Sequence, residues 1–83
     1  MGARVKLPEP LNKLLRSELE TAIYEAALHR DDELIARRYI IDKWCQIDIA
    51  AELGWRRATV GDHIKYIIPC IKRVAEKLNQ NRT

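Results

Sequence analysis

"AAELGWRRATV", residues 50–60, decides how this chain is read. A glycine and a tryptophan separate two helical patterns, and two arginines follow at once. Glycine readily takes the left-handed conformation found just past a helix end, so Gly54 stops a helix that begins at about Cys45. Ile49, Ala50 and Leu53 form the inward side of that helix, and Asp48 and Glu52 the outward side. The next helix starts near Arg56 or Arg57.

Downstream, Val60, Ile64, Ile67, Ile71, Val74 and Leu78 recur at alternating intervals of four and three, an apolar heptad seam. Pro69 interrupts it, removing the amide that would bond to the Lys65 carbonyl at a cost of about 3 kcal/mol in a helix interior. The pattern is therefore one kinked helix or two helices, over 57–67 and 69–79, and the kinked form is preferred. Upstream, Leu11, Leu14, Leu15, Leu19, Ala22, Ile23 and Ala26 lie on one face of a helix over 8–28, with Pro8 and Pro10 at its start. Lys13, Arg16, Glu20 and Glu25 take the other face, and residues 1–7 form a basic arm. Asp31 and Asp32 punctuate the chain as caps for a further helix, from about 32 to 41. Leu34, Ile35, Tyr39, Ile40 and Ile41 are its core candidates, with Arg37 and Arg38 near the surface, and Asp42 and Lys43 form a brief turn. The expectation is an all-α fold, a small bundle of about four helices in one domain.

Composition agrees. The chain has 83 residues, 47% hydrophobic and 33% charged, with 3 Gly and 3 Pro; that length supports a single helical core. No apolar run approaches the roughly 20 residues of a membrane span, and the amino end lacks a signal-peptide pattern, which implies no membrane partner and a cytoplasmic protein. Cys45 and Cys70 form no CxxC pair, so they read as small buried groups, with no metal or cofactor implied. Residues 1–55 carry eight Lys and Arg against ten Asp and Glu, and residues 56–83 carry seven against two. The net of −2 before Arg56 and +5 from it onward puts a positive field on the last helix, suited to a polyanion or simply to solubility. The single serine is Ser17, no histidine neighbours a nucleophile in a familiar motif, and no phosphate-cradling glycine loop is present, so an enzyme is not expected.

A short helix, a tight turn with Gly and a second helix make a helix-turn-helix unit, whose second helix enters the DNA major groove. The crossing of the two helices needs a small residue, which Ala50 supplies, and Val60 locks the second helix onto the first. With Val60 and Ile64 inward, Arg57, Ala58, Gly61, Asp62 and Lys65 turn to the groove, with Thr59 at the flank. Arg57 suits a guanine edge through its planar fork. Asp62 can accept from a cytosine amino group, or hold Arg57 or Lys65 in place. Ala58 and Gly61 let the backbone approach bases closely. Base contact is thus assigned to Arg57, Ala58, Thr59, Gly61 and Asp62, and phosphate contact to Lys43, Gln46, Arg56 and Lys65. The bland readings are solvated surface charges for Arg56, Arg57 and Asp62, packing for His63, a helix-terminus role for His29, and core plugs for Trp44 and Trp55.

Residues 31–78, "DDELIARRYIIDKWCQIDIAAELGWRRATVGDHIKYIIPCIKRVAEKL", resemble region four of bacterial sigma factors and the short sigma-like regulators of phages and mobile elements. "QIDIAAELGWRRATV", residues 46–60, is the specific core of the likeness. The Arg38-Tyr39 pair and Gln46 sit where that family has an Arg-Tyr pair and a helix-opening Gln. The resemblance implies a DNA-binding domain, in some members also one that touches RNA polymerase. Arg56 departs from the family, which commonly has Ser or Thr before the recognition helix, and the promoter-melting segments of a complete sigma factor are absent from this sequence.

These readings make a sequence-specific, DNA-binding regulator of transcription the leading expectation, with double-stranded DNA as partner. A homodimer is expected through the heptad seam or the leucine face of residues 8–28, which could equally pack on each other within one chain. Two alternatives stand beside it: a DNA-packaging initiator of the phage small-terminase type, and a helical adaptor that binds RNA polymerase or a sigma factor without touching DNA.

Overall fold

A computed structural model describes residues 6–80. Four α-helices make up the fold, and no strand occurs among the described residues. They are α1 (Arg16–Glu25), α2 (Arg30–Ala36), α3 (Gln46–Leu53) and α4 (Arg57–Gln80). The expected all-α bundle is what forms, although the basic arm assigned to residues 1–7 lies mostly outside the described residues.

The first helix is shorter than its leucine spacing suggests. Residues Leu11–Lys13 form one 3₁₀ turn, Leu14 and Leu15 are extended, and α1 starts only at Arg16. The reason is visible at Glu18, whose carboxylate accepts the Leu15 amide at 2.8 Å and so founds a new helix start. Leu11 is completely buried while Leu15 is 68% exposed, an arrangement that a continuous helix forbids because positions four apart share a face. At the other end, Ala27 takes a left-handed φ of 51° and turns the chain away, leaving Leu28 outside the helix. The break frees Leu7 and Leu11 to enter the core independently of α1.

α2 begins at Arg30 and is continued by a wider π-type turn over Arg37–Ile41, so the helical stretch ends where expected. Its start is not capped as the sequence suggests. The preceding His29 makes no capping hydrogen bond, Asp31 is exposed, and the buried Asp32 turns its carboxylate to α4. Lys43 then takes a left-handed φ of 62°, and the Trp44 amide reaches back to the Arg38 carbonyl at 2.9 Å to close the reversal.

α4 is the spine, packing against α1, α2 and α3. Val60, Ile67 and Ile71 are almost wholly buried, with Ile64 and Ala75 close behind. Burying each of the branched side chains among them contributes about 1.5–3 kcal/mol. Ala75 takes the core position expected of Val74, which is only half-buried. The seam is therefore filled from within the chain by Ile23, Ile35, Ile40 and Ile49 and their neighbours, and it is not free to serve as the dimer contact. The helix also runs through Pro69 without splitting. Pro69 lies on the exposed side of the helix, so the ring stays outside the packed seam. No described helix is long and apolar enough to cross a membrane.

Candidate nucleic-acid interface

The α3–α4 corner is built from the residues that the spacing singled out. Gly54 has φ 71° and ψ 28°, the left-handed geometry for which glycine carries no side-chain penalty. Both its amide and that of Trp55 point back to the Ala50 carbonyl, the latter at 2.9 Å. Two donors on one acceptor end α3 sharply and let α4 begin after only two further residues. The Val60 amide bonds to the Arg56 carbonyl at 3.2 Å, fixing the first turn of α4. Ile49 and Ala50 of α3 are buried, as is Val60 of α4.

This turn leaves the expected reading side open. Arg56, Arg57, Ala58, Thr59, Asp62 and Lys65 are all exposed, and so is Lys43 ahead of α3. None of the four basic side chains in that set forms an ion pair among the described residues. Asp62 is exposed and holds neither Arg57 nor Lys65 in an ion pair. The remaining two candidates, Gln46 and Gly61, are half-buried and belong together. A Cβ on Gly61 would lie 3.1 Å from the Gln46 Oε1, so the opening residue of α3 rests over this position. Gly61 thus serves the close approach of Gln46 to α4 as well as the open side.

Behind the open side, α4 is held by a second contact. His63 Nδ1 lies 2.6 Å from the Asp32 Oδ1, and its ring centroid is 4.9 Å from that of Trp55. Asp32, 7% exposed, is the one buried charged residue among those described. A buried carboxylate requires a partner, and His63 provides it whether neutral through Nδ1–H or protonated. His63 is thus a packing residue, as expected, and Trp55 joins that cluster from the turn.

The α2–α3 corner is held by Arg38. Its Nε and Nη2 donate to the two Glu52 oxygens at 2.8 and 3.1 Å, and Nη1 donates to the Asp42 Oδ2 at 3.0 Å. The guanidinium carbon lies 4.6 Å from the Trp44 ring centroid, a cation–π contact. The Glu52 hydrogen bonds, and then those to Asp42, raise the Arg38 pKa further and keep it charged. Arg38 is near the surface, as expected, yet it is a clamp between the end of α2 and the outward side of α3. Trp44 is accordingly a half-buried plate under that charge, and Cys45 is half-buried with its Sγ donating to the Asp48 Oδ2 at 3.2 Å. Cys70 is also half-buried, so neither cysteine is the buried group expected. No three His, Cys, Asp or Glu side chains converge among the described residues.

Comparison with protein-family models, curated proteins and solved structures finds no match.

Proposed function

We propose that the chain is a sequence-specific DNA-binding regulator of transcription, reading the major groove with the amino-terminal turns of α4. The observation that carries this reading is the set of exposed Arg56, Arg57 and Lys65, without an ion pair among the described residues, around a tight corner between two helices. Guanidinium groups free of protein carboxylates remain available to guanine edges and phosphates, and a helix amino terminus adds its own positive dipole end. Arg57 contacts a base, with Ala58, Thr59, Gly61 and Asp62 beside it; Arg56, Lys65, Lys43 and Gln46 contact phosphates. The likeness of residues 31–78 to sigma region four supports the same assignment and suggests RNA polymerase as a further partner.

A unit of this size makes few base contacts, so specificity calls for two copies or a larger complex. With the α4 seam internal, the large apolar side chains left for such a contact among the described residues are Leu15, Tyr24, Ile47 and Tyr66. Selection of bound duplexes from a random pool at two salt concentrations tests the proposal. An enriched motif that disappears in Arg57→Ala is the expected result. Equal binding of all sequences that collapses with salt would reduce it to backbone attraction. A palindrome with half-sites about one helical turn apart would add the dimer.

A further inference from the structure

Two shallow cavities lie near the α2–α3 region, and their linings differ in a telling way. One, of about 250 Å³, is lined by Arg16, Arg37, Arg38, Leu34, Ile41 and Asp42. Its arginines are already neutralised, by Glu20, Asp42 and Glu52. The other, of about 360 Å³, is lined by Lys6, Leu7, Asn12 and Lys43. Among the described residues it has no acidic wall and neither lysine forms an ion pair.

We propose that this second cavity is a phosphate site, and that the amino-terminal segment joins the DNA interface through it. The inference rests on the helix-turn-helix reading, which supplies the duplex; the ligand is one phosphodiester oxyanion of its backbone. Two ammonium groups and the Asn12 amide supply donors of the right sign and type, with no competing carboxylate. The position is also right. Lys43 precedes Gln46 by three residues, at most about 10 Å of chain, and Gln46 rests against Gly61 on the reading helix. Leu7 is 8% exposed and packs into the core, which anchors Lys6 beside the cavity.

The backbone at Lys43 gives a separate reason. Its φ of 62° is a conformation in which a left-handed helix end ordinarily favours glycine or asparagine. A lysine there trades local comfort for a basic residue in the cavity lining, a pattern that accompanies functional sites. Replacing it with glycine suits the backbone and removes the charge, which separates the two roles.

Binding of the selected duplex is measured as a function of salt for the wild-type chain and for a Lys6→Ala, Lys43→Gly double variant. One phosphate contact contributes about −0.9 to the slope of log affinity against log salt. The double variant is expected to lose that amount, to keep the same preferred sequence, and to melt no lower than wild type in Lys43→Gly alone. An unchanged slope overturns the phosphate site, and with it the phosphate contact assigned to Lys43, and leaves the base-reading side of α4 intact. Failure of the wild-type chain to bind any duplex overturns both the reading and DNA as the source of the phosphate. A titration with inorganic phosphate then separates the two failures. Saturable NMR shifts at Lys6, Asn12 and Lys43 that vanish in the double variant keep the cavity as a free-anion site; no shifts overturn it altogether.

Discussion

Arg37-Arg38 and Arg56-Arg57 are the same dipeptide, each placed where one helical stretch gives way to the next, and the fold treats them in opposite ways. The first pair is engaged: Arg37 reaches Glu20 at 3.5 Å, and Arg38 is gripped by Glu52, Asp42 and Trp44. The second pair is exposed and has no ion-pair partner among the described residues. The difference lies in what each pair faces across the turn. Behind Arg38 stands the acidic outward side of α3; among the described residues no carboxylate, Asp62 included, comes within ion-pair distance of Arg56 or Arg57. A basic dipeptide therefore says little by itself, and the acids within reach decide whether it holds the fold or faces a ligand.

The largest effect is expected when Arg56 and Arg57 are both replaced with alanine. Affinity for the selected duplex should fall on the order of a hundredfold, while the melting curve stays where it was. A shift in melting would mean that these arginines support the fold after all. The reverse behaviour belongs to the inner side of the same helix. His63→Ala leaves the Asp32 carboxylate buried without its partner and should cost about 2 kcal/mol in chemical denaturation; the neighbouring Asp62→Ala should stay within about 0.5 kcal/mol. Equal costs for the two would remove the distinction between the inner and outer sides of α4.

Arg38→Lys sharpens the contrast from the other direction. Lysine keeps the charge but cannot bond both Glu52 oxygens in plane, so the melting temperature should drop while duplex affinity at low temperature is unchanged. Loss of affinity in a fully folded Arg38→Lys protein would make Arg38 part of the interface. The smallest effect is expected at Arg37→Ala. The pair with Glu20 joins side chains that are 46% and 38% exposed, and such pairs contribute less than about 1 kcal/mol, often nothing measurable.

What the sequence shows is what depends on near neighbours. Gly54, Ala50 and Val60 announce the corner because a left-handed turn, a small crossing residue and a locking branched residue each restrict one position. The seam on α4 follows from residues three and four apart. The Arg38 clamp depends on Glu52, fourteen positions away, and the Asp32–His63 contact spans thirty-one; no local spacing reveals either one. The break before α1 escaped for another reason. The spacing from Leu11 to Ala26 fits one helix, and the features that divide it are Glu18 reaching back to Leu15 and a left-handed Ala27, neither marked by glycine. Gly61 was legible as an open position on the reading face, but not as the resting place of Gln46.

That last contact bears on how the protein can diverge. Under the proposed reading, core and address are written on interleaved positions of a single helix. Arg57, Ala58, Asp62 and Lys65 can be exchanged without touching the buried seam, so relatives or designed variants can acquire new targets at little cost in stability. Gly61 is the letter with the least room: a Cβ there would lie 3.1 Å from the Gln46 Oε1, so the tip of that side chain must give way. A library built on this scaffold should therefore randomise four positions and hold the fifth.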